Sequence, residues 1–498
     1  NKICPTCKGQ RLNSKILSSK IMSKNISDFT QMTIKENLEF LNKLEDPTAK
    51  YIIDPLKKQL EALEYIGLSY LTLNRVTTTL SGGEAQRLKL IRHLNSSLSD
   101  LVYIIDEPSV GLHPEDIAKI NEILKSLKDK GNTVLIVEHD PDVIKEGDYI
   151  IDMGPGSGKN GGEITFEGTY NELLSSNTST GNALRHKHNL KENIREANHF
   201  YNIGPVTQNN LNNVKTSIPK HVLTVLTGVA GSGKSTLVKA GFENNDHTIF
   251  IDQKAVQGSN RSNLLTYLGV FDSVRSFFSK ETGLNKAMFS YNSKGACPNC
   301  GGKGYIKTEL AFMGDFSQTC EVCHGKRYKQ EVLDATIDGY SIADVLDLTV
   351  DEGIIFFDKK NDIKSKLQSV SKTGLNYMSL GQPLSTLSGG EIQRVKLAQH
   401  LDEEIKNSIF IFDEPTTGLH ESDIPILMEC FDDLIDQNNT VILIEHNLSI
   451  MCEADWIIDV GPGPGLDGGK VQFSGTPKNF IDSSETLTSK HLKRYINQ

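Results

Sequence analysis

Two nearly identical octapeptides divide the chain into two similar halves. Residues 80–87 read Leu-Ser-Gly-Gly-Glu-Ala-Gln-Arg, and residues 387–394, which lie 307 positions later, differ from them only by isoleucine in place of alanine. Motifs that keep one register over this length indicate an internal duplication, so the chain is expected to fold as two copies of one unit. Further motifs recur at the same spacing: Asp106-Glu107-Pro108 with Asp413-Glu414-Pro415, Glu138-His139 with Glu445-His446, and residues 152–156 with residues 459–463.

A glycine-rich loop in the second half follows a predicted buried strand. Residues 222–227 are apolar or β-branched, and residues 228–236 lead from them into an apolar helix predicted to start at Leu237. Glycines let backbone N–H groups close around phosphates at a helix N-terminus, where a lysine can reach the outer phosphates and a serine hydroxyl can bind magnesium. The pattern predicts an ATP site built from Gly228, Gly231, Ser232, Gly233, Lys234, Ser235 and Thr236.

Two further predicted strands of the second half end in polar residues. Residues 408–412 lead into Asp413 and Glu414, and residues 441–444 lead into Glu445 and His446. We predict that Asp413 binds magnesium, that Glu414 is the catalytic base for an attacking water, and that His446 senses the terminal phosphate. The first half keeps the matching residues Asp106, Glu107 and His139.

These motifs, together with Gln253 after the predicted strand at 249–252, resemble those of the ABC ATPase family. In that family two halves pack head to tail, and each signature motif covers the nucleotide held by the other half. The resemblance implies an α/β fold with tandem ABC-type nucleotide-binding domains and helical signature subdomains, and an enzyme that hydrolyses ATP to ADP and phosphate. It adds Ser81, Gly82 and Gly83 to the complete site, and it assigns Ser388, Gly389 and Gly390 to an incomplete second site.

Six of the eight cysteines lie in Cys-x-x-Cys pairs followed by glycine. The pairs Cys297/Cys300 and Cys320/Cys323 are separated by 19 residues, a spacing that favours one four-thiolate zinc site with a hairpin between the pairs. Disulfides, redox pairs and a chaperone-type zinc domain are the alternatives. The single pair Cys4/Cys7 is half of such a site, and we do not expect it to hold zinc.

This insertion separates Lys234 from the second signature by 154 residues. Together with residues 67–75, 290–295 and 347–352, it resembles the UvrA family of bacterial nucleotide excision repair over essentially the whole chain. The resemblance implies a homodimeric ATPase that recognises damaged double-stranded DNA, works with a UvrB-like partner and is not itself the nuclease. It implies that the basic hairpin contacts DNA through Lys303, Lys307, Lys326 and Arg327. A charged hairpin that is only solvated is the alternative.

Two segments depart from the family pattern. Residues 254–261 lack an arginine and two prolines found in the family, and residues 311–315 lack its usual histidine and proline. The departures are typical of a diverged paralogue that gives resistance to DNA-binding drugs. A soluble ABC ATPase that acts on ribosomes or a transporter is a third interpretation.

The duplication also predicts the domain organisation. We expect the C-terminal part of a first ABC half at 1–172 and a linker at 173–200, least structured at 175–181. The second half would follow at 201–498, with a zinc module at 295–330 and a signature region at 331–400. First-half partners of the phosphate loop and of Cys297 would fall before residue 1, so we expect that the sequence begins in mid-protein.

Composition limits the setting in which the protein works. No apolar run approaches the roughly 18 residues of a membrane span, and paired cysteines of this kind are typical of a reducing compartment, so the sequence predicts a cytoplasmic protein without a membrane partner. A net charge of -10 argues against nucleic acid coating the whole surface, but it leaves a local basic patch possible.

Overall fold

A computed structural model describes most of the chain, namely residues 4–44, 46–77, 80, 82–94, 98–156, 158–186, 189–243, 245–254, 262–310, 314–401 and 405–497. Ser81, residues 255–261 and residues 311–313 lie outside the described residues. Most of the two segments that depart from the family pattern, and the predicted nucleotide contact Ser81, fall on these positions.

The first half begins with helices and ends with short strands that alternate with helices. Capping boxes start several of the helices; for example, the Thr33 hydroxyl accepts from the Glu36 N–H while the Glu36 carboxylate accepts from the Thr33 N–H. The elements are α1 Ser14–Leu17, α2 Ile26–Gln31, α3 Ile34–Asn42, α4 Lys50–Tyr65, α5 Gly82–Leu94, β1 Val102–Asp106, α6 Pro114–Asp129, β2 Thr133–Val137, α7 Pro141–Ile144, β3 Ile150–Gly154, β4 Glu163–Gly168, α8 Tyr170–Ser175 and α9 Ser179–Arg185.

The second half repeats this order after an antiparallel hairpin and a phosphate-loop strand. Its elements are β5 Phe200–Gln208, β6 Leu211–Pro219, β7 Leu223–Thr227, α10 Lys234–Phe242, β8 Thr248–Ile251, α11 Leu264–Tyr267, α12 Phe271–Thr282, β9 Tyr305–Leu310, β10 Gly314–Thr319, α13 Gln330–Leu333, β11 Thr336–Ile337, β12 Tyr340–Ser341, α14 Ile342–Asp347, α15 Val350–Phe356, α16 Asn361–Lys372, α17 Gly389–Leu401, β13 Ile409–Asp413, α18 Ile424–Asp436, β14 Thr440–Ile444, α19 Leu448–Glu453, β15 Trp456–Gly461, β16 Lys470–Gly475, α20 Pro477–Ser483 and α21 Leu487–Ile496.

A six-stranded sheet forms the centre of the second half, in the order β16-β15-β7-β14-β13-β8. All neighbours pair in parallel except β15 and β16. Side chains from β13 alternate between two cores, with Phe410 packed toward α18 and Ile411 packed toward α10 and the β5–β6 hairpin. Because both faces are covered, these strands read as continuous apolar runs. The parallel strands end at one edge of the sheet, where ligands bind in open α/β folds.

The described strands of the first half form smaller sheets. β1 pairs with β2 in parallel, and β3 pairs with β4 antiparallel. Within the described residues, no strand joins these two pairs in the way that β7 joins β14 to β15. Ile104 on β1 is 75% exposed, whereas its repeat partner Ile411, which packs toward α10 and the β5–β6 hairpin, is 2% exposed.

The predicted linker contains ordered structure. Helix α9 begins within the segment expected to be least structured, so that expectation is wrong. Thr178 caps the helix by accepting from the Gly181 N–H, and the Thr180 hydroxyl donates to Asp152 at 2.7 Å. Further along, Arg195 pairs with Asp432 and Asp455. Composition does not reveal these tertiary contacts; the domain boundaries themselves stay predictions.

Candidate functional site

The phosphate loop connects β7 to α10 in the second half. Gly233 precedes the helix with φ +103°, a left-handed conformation in which an L side chain is strained, and a β-carbon there would lie 2.8 Å from Asn210 Oδ1. The loop therefore needs glycine both for its backbone turn and for the close approach of a neighbouring hairpin. Its helix N-terminus directs backbone N–H groups outward, which favours an anion.

Lys234 is buried beneath this loop. It is 6% exposed, and its ammonium donates to the carbonyl oxygens of Gly228 at 2.8 Å and Val229 at 3.0 Å. Burial lowers the pKa of Lys234 to about 8, against the opposing effect of the carboxylates of Glu414 and Asp413. The Lys234 ammonium can form stronger, charge-assisted hydrogen bonds when phosphate oxygens of a nucleotide bind beside it.

Asp413 stands at the end of β13, opposite the phosphate loop. The Ser235 hydroxyl donates to its Oδ1 at 3.4 Å, and Lys239 Nζ lies 3.8 Å from its Oδ2. Burial raises the pKa of this carboxyl group. Magnesium at phosphate sites is bound by hydroxyl and carboxylate oxygens, which are the two groups that Ser235 and Asp413 supply here.

Glu414 follows with a left-handed backbone, at φ +54°. Such conformations are sparse outside glycine and cluster at functional sites. Burial, followed by the charges of Asp413 and Glu445, raises the pKa of Glu414 to about 7. The Gln253 side chain donates to the Glu414 carbonyl oxygen at 3.2 Å and to Thr417 Oγ1 at 2.9 Å, so it connects β8 to the carboxylate loop.

His446 lies beyond the end of β14 and is buried. Glu445 holds this turn, because its carboxylate accepts from the N–H groups of His446 at 2.7 Å and Thr416 at 3.0 Å. Burial, with added repulsion from Lys234, lowers the pKa of His446 well below its ordinary value. The imidazole is therefore neutral at physiological pH.

A cavity of about 580 Å³ joins these residues to side chains of the first half. The phosphate loop, Glu414 and His446 form one wall of the cavity. Helix α5 and the segment that precedes it form the other. Helix α5 starts at Gly82, so Gly82 and Gly83 occupy the helix end that belongs to the first signature. First-half residues in the lining are Tyr70, Arg75, Glu84, Arg87 and Gly111.

Tyr70 is the side chain that joins the first signature region to the phosphate loop. Its hydroxyl donates to Glu84 Oε1 at 2.6 Å, and a β-carbon placed on Gly231 would lie 2.9 Å from its ring. Tyr377 repeats the arrangement in the other half, with its hydroxyl 2.7 Å from Glu391 Oε1. The two halves thus face each other with related contacts.

Gly111 brings the first half against the predicted catalytic base. A β-carbon on this residue would lie 2.7 Å from Glu414 Oε2. In the reciprocal contact, a β-carbon on Gly418 would lie 3.4 Å from Glu107 Oε1. The structure therefore brings seven predicted residues of the complete site into one cavity with first-half residues, namely Gly231, Gly233, Lys234, Ser235, Thr236, Glu414 and His446. Ser81 lies outside the described residues.

The incomplete site keeps its polar residues in related positions. Glu107 has φ +45°, and its Oε1 lies 3.6 Å from His139 Nε2, while Asp106 ends β1. Ser388 caps α17 by accepting from the Glu391 N–H, and Gly389 and Gly390 form the first turn of that helix. The printed sequence contains the phosphate-loop pattern once, in the second half.

The four cysteines of the predicted zinc module form one buried cluster. All four sulfurs lie within 4.8 Å of one another, with 4.0 Å between Cys297 and Cys320 and 3.7 Å between Cys300 and Cys323. A tetrahedral ion with Zn–S bonds near 2.3 Å separates its sulfurs by roughly 3.8 Å. The cluster therefore fits a structural zinc ion without rearrangement.

The chemistry of these thiols also suits a cation. N–H groups of Cys323 and Asn299 lower the pKa of Cys320 to about 6, whereas burial raises the pKa of Cys323 to about 12. Four buried thiols cannot all ionise without a positive charge, and zinc supplies one. Outside this module, Cys4 is exposed, whereas Cys430 and Cys452 are buried in a hydrophobic core of the second half that does not include the cysteine cluster.

The predicted DNA-contacting residues surround this cluster. Lys303 and Lys307 are exposed, and Lys307 lies on strand β9, which pairs antiparallel with β10. Lys326 pairs with Asp344 at 2.9 Å, and the Arg327 guanidinium lies 5.5 Å from the centre of the Tyr291 ring. The structure brings the four residues onto one module.

Sequence reasoning missed several residues that line the complete site. Tyr70, Arg75 and Gly111 have no predicted role at the site, and neither have the hairpin residues Asn209 and Asn210. Glu84 and Arg87 belong to the signature octapeptide, but the motif alone gives them no contact with the cavity. The repeat register contains a usable signal, because a tyrosine, a glutamate and a glycine recur at 377, 391 and 418.

Comparisons with known proteins agree with this geometry. The ABC transporter family matches residues 211–417. UvrABC system protein A of Clostridium perfringens is 43% identical over 99% of this chain and 57% of its own length, and that of Bacillus subtilis is 41% identical over 99% and 56%. The crystal structure of UvrA2 from Deinococcus radiodurans superposes with a TM-score of 0.93 at 37% identity, covering 99% of this chain and 66% of that one.

Fold and site together define an ABC ATPase fold of α/β class, which confirms the predicted fold class. A ribosome-bound archaeal ABCE1 model, at 19% identity and a TM-score of 0.51, shares the fold alone. The chain belongs to the UvrA family, as the predicted resemblance indicates, and spans just over half the length of the curated relatives it matches. Among the described residues, no helix has the length and apolar character needed to cross a bilayer.

Proposed function

We propose that the chain binds ATP between its two halves and hydrolyses it to ADP and phosphate. The observation that carries this proposal is the shared cavity, in which Lys234 and Glu414 of the second half face Tyr70 and Gly111 of the first. An ATP site that needs both halves changes with their separation, so nucleotide binding favours the closed arrangement.

The side chains divide the reaction between them. The phosphate loop and Lys234 would hold the phosphates, and Ser235 and Asp413 would hold magnesium, which offsets phosphate charge. Glu414 takes a proton from water as the water oxygen bonds to the terminal phosphorus and the bond to the ADP oxygen breaks. His446, which is neutral, donates a hydrogen bond to the transferred group, and backbone N–H groups at the start of α5 face it from the first half.

We further propose that the whole protein uses this ATPase to recognise damaged DNA in bacterial nucleotide excision repair. Support comes from the relatives, which are named as the A protein of the UvrABC system. The basic zinc module suits phosphate contact, through the exposed Lys303 and Lys307. On the same grounds, we propose a cytoplasmic homodimer that works with a UvrB-like partner. Preferential binding of a lesion-containing duplex over an undamaged one tests the DNA proposal, and equal binding would contradict it.

Replacing Lys234 by alanine tests the ATP proposal. Loss of the ammonium removes the charge that would face the outer phosphates, so steady-state ATP turnover should fall about 100-fold or more. Lys220→Ala is the control, because that ammonium lies over the Tyr201 ring, outside the cavity lining. Unchanged turnover in Lys234→Ala would overturn the proposal.

Replacing Gly111 by alanine tests whether the first half completes the site. The new methyl group would meet Glu414, and φ +66° would cost an L residue about 1 kcal/mol or more. We expect at least a roughly tenfold loss of ATP turnover, measured with saturating ATP. Gly131→Ala carries the same backbone strain, at φ +83°, but has no neighbour closer than 4.0 Å and should keep normal turnover. Equal turnover in both variants would mean that the first half does not contribute.

A further inference from the structure

His113 is a first-half histidine that is buried in the second half's site. It precedes α6, is 0% exposed, and places its ring centre 6.0 Å from that of His446 at an interplanar angle of 89°. A third histidine, His491 of α21, lies on another side with its ring centre 5.7 Å away. His113 lies six residues after Glu107, outside the motifs that predict the site.

Two hydrogen bonds determine the tautomer of His113. Its Nδ1 accepts from the Glu115 N–H at 3.2 Å, as a helix N-cap does. The other nitrogen, Nε2, therefore carries the proton and donates to Thr488 Oγ1 at 3.0 Å. Burial lowers the pKa of His113 to about 3, which agrees with a neutral ring that has one donor and one acceptor nitrogen.

The chain of contacts continues to the phosphate loop. Thr488 Oγ1 donates to Asp459 Oδ1 at 3.3 Å, and a β-carbon on Gly228 would lie 3.1 Å from that same oxygen. His113 thus touches the predicted phosphate sensor directly and approaches the loop that would hold the phosphates through two intermediates. Its ring orientation is set by groups from both halves.

The incomplete site repeats the arrangement with the halves exchanged. His420 of the second half has its ring centre 6.3 Å from that of His139, at 86°. Its Nε2 lies 3.1 Å from Thr180 Oγ1, and Thr180 donates to Asp152 at 2.7 Å. An edge-on pair that recurs through different helices belongs to the packing of the two halves and is not a local accident of one loop.

We infer that His113 is a positioning residue for His446: it holds the edge of the sensor imidazole from the opposite half, so that closure of the two halves aligns His446 for ATP hydrolysis. The inference rests on the proposed ATPase function. His113 lies against His446, and no described contact places it among the groups that would bind the nucleotide. Its loss should therefore lower the rate at saturating ATP and leave the ATP concentration for half-maximal rate within about twofold.

A double-mutant cycle on the full chain tests this inference. We expect His113→Ala and His113→Asn each to lower turnover about 10- to 100-fold, since small misplacements of reacting groups cost that much. Asparagine retains the cap acceptor and a donor, so it separates the loss of the ring from the loss of the helix cap. If His113 acts through His446, then His113→Ala/His446→Ala should turn over no more slowly than His446→Ala alone.

The possible outcomes are distinct. If the fold-losses of His113→Ala and His446→Ala multiply in the double variant, the two residues act independently and the inference is wrong. Normal turnover in both His113 variants would also overturn it. Thr476→Ala, which removes the cap of α20 away from the cavity, should keep normal turnover and shows what cap loss alone does. Lys234→Ala distinguishes the failures, because unchanged turnover in that variant overturns the ATPase proposal itself.

Discussion

Replacing Glu414 by glutamine should lower ATP turnover by about 100- to 10,000-fold while ATP binding stays near normal. The amide fills the same space but cannot take a proton from water. Burial already raises the pKa of Glu414 to about 7, so the fold tolerates a neutral group at this position. The rate of phosphate release and the equilibrium binding of ATP, measured on the same preparation, check the two parts of the expectation.

The duplication provides a matched control. Glu107→Gln makes the same chemical change at the repeat position, where Glu107 faces Gly418 and His139. Glu107 is not among the residues that line the cavity with Lys234 and Glu414, so Glu107→Gln should change ATP turnover at that cavity by less than about threefold. Equal losses in both variants would show that both carboxylates serve one reaction, contrary to the assignment.

Glu414→Gln should also change the pH dependence of the free energy of unfolding. A carboxyl group whose pKa is raised from 4.5 to about 7 on folding binds protons more tightly in the folded state. Its contribution to stability is therefore lost as pH rises through this interval, and the wild type should lose stability relative to Glu414→Gln between pH 4.5 and about 7. Denaturant midpoints of the two nucleotide-free proteins at pH 5 and pH 8 measure this difference.

Replacing Cys320 by serine should empty the zinc module. Wild-type protein should contain one tightly held zinc ion per chain, and the variant should contain almost none, because three thiolates leave one position of the tetrahedron open. Structural zinc contributes on the order of 10 kcal/mol of apparent binding free energy, so its loss should unfold the module locally. Metal analysis and protease cleavage within β9 and β10 measure these two effects.

Cys4→Ser is the control for this experiment. Cys4 is exposed, and only Cys7 accompanies it in its Cys-x-x-Cys pair, so its replacement should leave the zinc content unchanged. The six-stranded sheet has its own cores, separate from the cysteine cluster, and should stay folded in Cys320→Ser. Wild-type protein without zinc would contradict the prediction, and loss of zinc in both variants would show that Cys4 contributes to a site.

The two largest effects concern separate parts of the molecule. Glu414 belongs to a cavity between the halves, whereas Cys320 belongs to a module inserted between α12 and α13 of one half. A loss of zinc that also removes ATP turnover would show that the module and the cavity are coupled. Retained turnover would show that the module serves the proposed DNA contact alone.

Local sequence determined much of this protein. The strand and glycine pattern around Lys234 indicates a phosphate loop because β7 is buried on both faces and the turn needs left-handed glycine. The spacing of the cysteine pairs likewise indicates a metal cluster, since each pair closes a tight turn of its own. The repeat register shows that matching residues, such as Glu107 and Glu414, occupy matching positions, and both do have left-handed backbones.

Only the tertiary structure decided how the halves share the site. The contacts of Gly111 with Glu414, of Tyr70 with Gly231 and of His113 with His446 join residues far apart in sequence. No local periodicity encodes such contacts, because they depend on how two finished domains pack. The ordered helix α9 and the internal partners of Lys326 and Arg327 have the same origin. Sequence therefore identified the chemistry of each half, and packing of the halves determined which residues act together.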